Sequence, residues 1–306
     1  MTQLQPSVSH QASTKPLPVA MPALFQFADR ASQVSQRKFL WRRRIELAFL
    51  VAAAVCALIP NESVYFASQV IPGAILAGLL FLAAGVLETS VVTIQPERSW
   101  YQGRALAESI KTLAWRYAVA GEPFGQDGGA TDALLLGRFQ QIVDQFPGLR
   151  TLPNAAIDSE ITPWMRSTRN EPLAERRNVY ANARIGDQGR WYAQKAEWNR
   201  RRAYIWGAGT LILQFAGAVA AFARGFKFES LDLLSVVAVL STVAVAWLQI
   251  KQHATLAESY GVAASELSAI SESLPTQDDE SAWARFVDQS ENAISREHTT
   301  WRAKRA

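Results

Sequence analysis

Two stretches decide the fold: Ala203–Ala223, AYIWGAGTLILQFAGAVAAFA, and Leu231–Ile250, LDLLSVVAVLSTVAVAWLQI. A helix that spans a bilayer needs about 20 predominantly apolar residues, and both stretches are that long. An earlier pair, Ile45–Pro60 and Val70–Leu87, repeats the pattern, although Ile45–Pro60 is short unless its helix continues past Pro60. Helices of a soluble bundle normally keep a polar face, and these four stretches have almost none. The sequence therefore predicts an all-α integral membrane protein with two tandem transmembrane helical hairpins, four spans in all.

The charges beside the spans predict the orientation. The chain has a net charge of +4 and a pI of about 9.3, and most of the excess positive charge flanks the spans. That placement favours lipid headgroups over nucleic acid as the partner. Basic residues precede the first and third spans, whereas the connector 61–69 has no Lys or Arg. The positive-inside rule then places both termini, and long helical extensions, in the cytoplasm. Residues 1–20 lack the apolar core of a signal peptide, so we expect the first span to direct its own insertion.

Changes of pattern divide the chain into five segments. We expect a disordered tail over residues 1–21, a first two-span domain over 22–125, a helical insert and linker over 126–171, a second two-span domain over 172–274, and a C-terminal amphipathic helix over 275–306. Within them, Pro96 is predicted to begin a helix, Thr131 or Asp132 to cap another, and the Pro-interrupted segment Arg150–Glu171 to be a linker.

The two halves resemble each other. Trp41-Arg42-Arg43-Arg44 precedes the first span, and Trp198-Asn199-Arg200-Arg201-Arg202 precedes the third. The tetrad Leu-Ala-Glu-Ser follows both the second span, at Leu106, and the fourth span, at Leu256. We interpret this as an internal repeat, with both copies entering the membrane from the same side.

Catalytic motifs are not found in the sequence. Its three histidines, His10, His253 and His298, have no metal-ligand spacing, and its one cysteine, Cys56, lies within the first span. There is no Gly-rich phosphate loop followed by Lys. We therefore expect neither an enzyme, nor a metal site, nor a cofactor, and rank a membrane enzyme last among the functional hypotheses.

Small and weakly polar residues form a stripe on the second hairpin. Such a stripe allows close packing between helices in lipid, or it lines a narrow water-filled path. Gln214 matters most, because an amide in the middle of a span should face protein or water. The stripe comprises Gly207, Thr210, Gln214, Gly217, Ser235, Ala238, Thr242 and Gln249.

Two carboxylates stand near the ends of the first two spans, Glu46 and Glu88. Either they pair with nearby arginines such as Arg43, or they form a ring at the mouth of a cation pore. Both interpretations remain open at the level of sequence.

Several residues in each half together resemble the SLATT family, the SMODS- and SLOG-associating effector domains with two transmembrane helices. In the second half they are Arg184, Gln188, Trp191, Tyr192 and Lys195, ahead of a hairpin, with Glu258 after it. In the first half Trp100, Arg104 and Glu108 follow the hairpin and resemble another subtype. The likeness covers the chain from about Pro22 to Leu274.

The resemblance implies an effector of a bacterial nucleotide-linked conflict or antiviral defence system, in the inner membrane. It implies an oligomeric pore that breaks the membrane barrier, and a nucleotide-sensing or nucleotide-synthesising protein as a partner. We expect several copies to surround a lumen lined by the Gln214 stripe. The alternative is a non-conducting scaffold that docks a cytoplasmic partner through its helical extensions. A pore needs the Gln214 face to be shared between protomers, whereas a scaffold needs it buried within one protomer.

Overall fold

The computed structural model describes residues 19–58, 65–66, 69–70, 73–125, 130–146, 160–226 and 233–303. The prediction of a disordered tail over residues 1–21 lies almost entirely outside the described residues. The connector 227–232 and residues 147–159, within the predicted helical insert and linker, also lie outside the described residues.

The first half contains a helical hairpin. Helix α1, Ala23–Ala57, runs unbroken from a charged segment into the apolar one. Strands β1, Tyr65–Phe66, and β2, Gln69–Val70, pair antiparallel over two residues each, which the sequence did not suggest. Helix α2, Gly73–Ile94, then returns along α1 and packs against it.

The second half has the same plan, with a longer entering helix. Helix α6, Leu173–Val179, continues through a π-helical segment, Tyr180–Gly186, into helix α7, Asp187–Gly225. These three form one continuous helix of 53 residues. Helix α8, Leu233–Lys251, returns along α7, and helix α9, His253–Glu272, leads away from the spans.

The helices outside the apolar stretches form a helical body. Helix α3, Pro96–Ala118, lies at its centre and contacts α1, helix α4 (Thr131–Asp144), helix α5 (Pro163–Arg169) and helix α10 (Glu280–Ala303). We use the term helical body for α3 to α6, α9, α10 and the charged portions of α1 and α7.

Two local predictions in this body were wrong. Residues 163–169 form α5 instead of a linker, because Thr162 caps the helix by accepting a hydrogen bond from the Met165 amide at 3.3 Å. Helix α4 begins at Thr131 without any side-chain cap. Asp132 instead accepts a hydrogen bond from the Tyr117 hydroxyl at 2.5 Å and pairs with Arg166 at 2.7 Å.

Aromatic side chains fill the core of the body. Tyr180 is fully buried and meets Trp115 and Trp283 edge to face, with ring centroids 6.1 Å and 5.7 Å apart. Trp164 packs edge to face on Trp115 at 4.9 Å. The Trp283 indole donates a hydrogen bond to the Val119 carbonyl at 2.8 Å, so α10 is fixed to the chain just after α3.

Three helical runs in the described residues each contain a stretch long and apolar enough to span a membrane. They are Gly73–Ala118, Leu173–Gly225 and Leu233–Glu272. The apolar stretches correspond to α2, the second half of α7, and α8, and the all-α membrane fold is confirmed. The predicted first span is not among them, since α1 ends at Ala57. From Ile45 to Ala57 this helix rises about 20 Å at ~1.5 Å per residue, against the ~30 Å of a bilayer core.

One conformational feature is common to both halves. Gln95 separates α2 from α3 and Gln252 separates α8 from α9, and both adopt left-handed backbone angles, with φ of 46° and 49°. This region is disfavoured for a residue with a Cβ. The Leu-Ala-Glu-Ser tetrads do not share this register: Leu106 lies 11 residues beyond Gln95, and Leu256 lies 4 residues beyond Gln252. The glutamine joints, rather than the tetrads, mark equivalent positions.

Candidate functional site

A pocket of about 390 Å³ lies between the two halves, where the spans meet the helical body. Residues from α1, α3, α7, α8 and α9 contribute to it. Four of the residues that carry the family resemblance line this pocket: Trp100 and Arg104 from the first half, and Trp191 and Lys195 from the second. We call it the junction pocket. Its volume falls in the range of about 300–1,000 Å³ that is typical of small-molecule sites.

Aromatic rings form the walls of the junction pocket. On one side Trp100 stacks on Tyr101, with ring centroids 4.7 Å apart and ring planes at 19°. On the other side Trp191 meets Tyr260 edge to face at 5.5 Å. These contacts fix the orientation of each ring, so the walls are preorganised before any ligand arrives.

Two lysines that line the pocket lie over aromatic rings in it or beside it. The Lys195 ammonium lies 5.8 Å from the Trp191 ring and 5.6 Å from the Trp198 ring, and the Lys251 ammonium lies 5.3 Å from the Trp247 ring. Such distances are typical of cation–π attraction. None of the residues that line the pocket in the described part of the chain is Asp or Glu. The charged side chains that line the pocket, Arg104, Lys195 and Lys251, are therefore all basic.

A buried hydrogen bond supports the base of the pocket. His253 Nδ1 and Asn199 Oδ1 lie 2.8 Å apart, and both side chains are buried. The Asn199 amide also donates to the Lys195 carbonyl at 2.8 Å. This pair joins α7 to the first residue of α9, directly after the left-handed Gln252. Neither residue stood out in the sequence, because a single His and a single Asn 54 positions apart show no motif.

The remaining motif residues with polar contacts gather in a buried ion cluster one to two helical turns beyond Arg104 along α3. Arg184 donates to both carboxylate oxygens of Glu291, from Nε at 2.8 Å and from Nη2 at 2.6 Å. Lys111 contacts Glu108 at 3.4 Å and donates to Gln188 at 3.3 Å. The cluster joins α3, the π-helical segment, α7 and α10.

Burial and neighbouring charges together shift the pKa values in this cluster. Burial lowers the pKa of Lys111, and the positive charge of Arg184 lowers it further, against the attraction of Glu108. Burial would also lower the pKa of Arg184, but the charge and hydrogen bonds of Glu291 outweigh it and raise that pKa. Glu291 is 0% exposed and was missed in the sequence, where it looks like one charge among many on an amphipathic helix.

The polar stripe divides between two environments. Thr210 is buried and its hydroxyl donates to the Trp206 carbonyl at 2.9 Å. An ideal Cβ on Gly217 would lie 3.5 Å from Val237, so α7 and α8 approach closely there. By contrast, Gln214 is exposed on the protomer surface. The residues of the stripe on α8 are also exposed: Ser235, Ala238, Thr242 and Gln249.

The two candidate pore-mouth carboxylates share one cation. Arg43 Nη1 donates to Glu46 at 2.9 Å and also to Glu88. This bridge joins α1 to α2 and corresponds to the arginine-paired interpretation of these residues. Glu258 is exposed on α9 and lies outside both the pocket and the ion cluster. Within the described residues, no group of three or more His, Cys, Asp or Glu side chains could hold a metal ion.

Comparison with known families gives two consecutive matches. Residues 22–177 match the model described as SMODS and SLOG-associating 2TM effector domain 3. Residues 180–301 match SMODS and SLOG-associating 2TM effector domain 1. The boundary between them falls at the start of the π-helical segment. Searches among curated proteins and solved structures returned no match. The chain therefore belongs to the SLATT family of two-transmembrane effector domains, with two domains of different subtypes in tandem.

Proposed function

We propose that this protein is the membrane effector of a bacterial nucleotide-linked conflict or antiphage defence system, and that several copies assemble into a regulated pore. The observation that carries the proposal is the position of Gln214. It lies near the middle of the apolar stretch Ala203–Ala223, and its side chain is exposed on the single protomer.

Lipid cannot satisfy the hydrogen bonds of an amide. In a lone protomer Gln214 would face acyl chains, and its amide makes no hydrogen bond within the described part of the chain. An amide without hydrogen-bond partners in hydrocarbon costs a free energy on the order of several kcal/mol, as in the transfer of an amide from water to an apolar solvent. A neighbouring protomer or a water-filled lumen removes this cost. The exposed polar residues Ser235, Thr242 and Gln249 on α8 support the same arrangement.

The topology we propose follows the charges. Both termini and the helical body would lie in the cytoplasm of a bacterial cell with the protein in the inner membrane, since the basic residues precede the spans. The apolar portion of α1 would complete a fourth span, with the bilayer thinned at its end. Its pairing with α2 through the Arg43 bridge supports this placement.

Membrane potential in cells that express the chain tests the pore. With a potential-sensitive dye, we expect depolarisation by the parent protein and none by Gln214→Leu. Ile212→Leu is the matched control, because Ile212 is 68% exposed on the same helix and the change keeps it apolar. Membrane fractions establish that all three proteins insert to equal levels.

Two results would argue against the proposal. Full depolarisation by Gln214→Leu at a normal level would remove this residue from the pore lining. A parent protein that never depolarises, even with neighbouring sensor genes expressed, would instead favour a non-conducting scaffold that docks a partner through the helical body.

A further inference from the structure

The two lysines of the junction pocket have no acidic partner in the described residues. Lys195 and Lys251 both line it, and neither makes an ion pair with a described carboxylate. Two more cations flank them: Arg202 lies over the Trp198 ring at 5.3 Å and Arg44 over the Trp247 ring at 5.5 Å. A concave site with this concentration of positive charge attracts anions.

The aromatic rings hold these cations without using their hydrogen bonds. A cation–π contact attracts the ammonium charge, whereas its N–H groups remain available to other acceptors. Lys195 lies near two rings, Trp191 and Trp198, and so its charge stays at the pocket while its donors can turn to a ligand. This differs from a surface lysine in a salt bridge, where a carboxylate already neutralises the charge and accepts from at least one donor.

The remaining walls suit the body of a small organic molecule. Trp100, Tyr101 and Tyr260 provide ring faces and edges, and the volume of about 390 Å³ is too small for a folded partner. Lysine is a common phosphate ligand, and several such cations around one concave site match the charge of a phosphate group.

We propose that the junction pocket binds a small phosphate-bearing anion, with the phosphate held by Lys195 and Lys251 and the rest of the molecule against the aromatic walls. The pocket lies at the level where the spans end, and two sources have this chemistry. One is a soluble phosphate ester such as a nucleotide, and the other is the headgroup of an anionic phospholipid. Because the pocket draws on both halves, a bound ligand would hold them together.

Two binding measurements on the full chain distinguish the sources. In the first, the protein is embedded in nanodiscs of phosphatidylcholine and titrated with AMP and with pyrophosphate by calorimetry. In the second, the protein is exchanged into detergent with phosphatidylglycerol, and native mass spectrometry counts the lipids that remain bound. Binding in at least one arm is expected, and that arm identifies the source.

Charge-removing variants then assign the binding to the pocket. We expect Lys195→Gln with Lys251→Gln to weaken binding by about tenfold or more, in line with the loss of charge-assisted hydrogen bonds. Arg98→Gln is the matched control, because Arg98 is exposed, lies close to the equivalent Gln95 joint and does not line the pocket. It should change the affinity less than about twofold.

Three outcomes would overturn the proposal: no binding in either arm, binding that survives loss of both lysines, or an equal loss with Arg98→Gln. Lys195 is exposed on its helix, so Lys195→Gln alone keeps the test decisive if the double variant fails to fold. Binding in nanodiscs is measured without reference to conduction. Its failure would leave the proposed pore unaffected, and a failed pore would leave the binding result intact.

Discussion

Removing one member of the buried ion pair between Arg184 and Glu291 should destabilise the helical body strongly. Arg184 is 2% exposed and Glu291 is 0% exposed, and two short hydrogen bonds join them. The Tyr180 hydroxyl adds a third bond to Glu291 at 3.1 Å. Glu291→Gln keeps the volume of the side chain but leaves the guanidinium without its counter-charge, and Lys111 stands nearby as a second cation.

The expected loss of unfolding free energy is about 3 kcal/mol for Glu291→Gln, and up to about 5 kcal/mol for Arg184→Met, which leaves a carboxylate buried without a cation. The double variant Arg184→Met with Glu291→Leu should recover most of that loss. Replacing both charges by apolar groups of similar size is often neutral, because no buried charge remains unpaired. The coupling energy between the two sites should then exceed about 2 kcal/mol.

Equilibrium unfolding in mild detergent measures these losses. Tryptophan fluorescence reports on the body, since Trp115 and Trp283 both contact Tyr180. Tyr180→Phe is a control that keeps both charges, removes the hydroxyl with its hydrogen bond to Glu291, and should cost about 1 kcal/mol. Single variants that lose less than about 1 kcal/mol, or a double variant no better than either single one, would refute the reasoning.

Two further predictions concern helix packing and pH. Gly103→Ala should destabilise the chain by about 1–3 kcal/mol, because its Cβ would meet the Ser32 amide nitrogen at 3.0 Å, whereas Gly137→Ala in open space on α4 should stabilise it by up to about 1 kcal/mol. Denaturation of both variants in parallel checks this, and equal effects would contradict it. Burial, then the hydrogen bond and charge of Asp132, raise the pKa of Tyr117 to about 12. The resulting stabilisation is full below about pH 10 and is lost as the pH rises towards about 12. Across that window the free energy of unfolding should therefore fall less steeply with pH in Tyr117→Phe than in the parent protein. An unchanged slope in that variant would contradict the assignment.

Much of the architecture could be predicted from single stretches of sequence. The apolar stretches of α2, α7 and α8 are long enough to identify by composition, and Pro96 marks the first residue of α3 as expected. The C-terminal amphipathic helix expected over residues 275–306 corresponds to α10, Glu280–Ala303. These features depend on neighbouring residues, and sequence patterns report such local preferences well.

The glutamine joints could not be predicted. Glutamine is a good helix former, and nothing beside Gln252 indicates a turn. In the structure the Gln252 amide still donates to the Leu248 carbonyl at 2.8 Å, and its own carbonyl still accepts from Leu256 at 2.9 Å. The left-handed backbone at Gln252 therefore occurs with both of these hydrogen bonds retained, and no local pattern in the sequence records it.

The junction pocket could not be predicted from the sequence either, since it depends on contacts between residues that are distant in the chain. Trp100 and Trp191 lie in different halves and come together only when both hairpins pack on one body. The sequence suggested both as motif residues through the family resemblance, but gave no reason to place them in one cavity. Glu291 shows the same limit, because only its contact with Arg184 distinguishes it from the exposed acids on α10.

In each hairpin the entering helix is continuous, whereas the returning run contains a left-handed glutamine, Gln95 or Gln252. Helix α7 is continuous over 39 residues, which makes it about 58 Å long at ~1.5 Å per residue. A displacement or rotation of one end would therefore be carried to the other end. The returning run contains a left-handed residue, Gln252, between α8 and α9. The same pairing of continuous helix and glutamine joint occurs at α1 and Gln95. A rotation of the helical body would therefore reach the apolar stretches directly through α1 and α7, and only across a left-handed residue in the two returning helices.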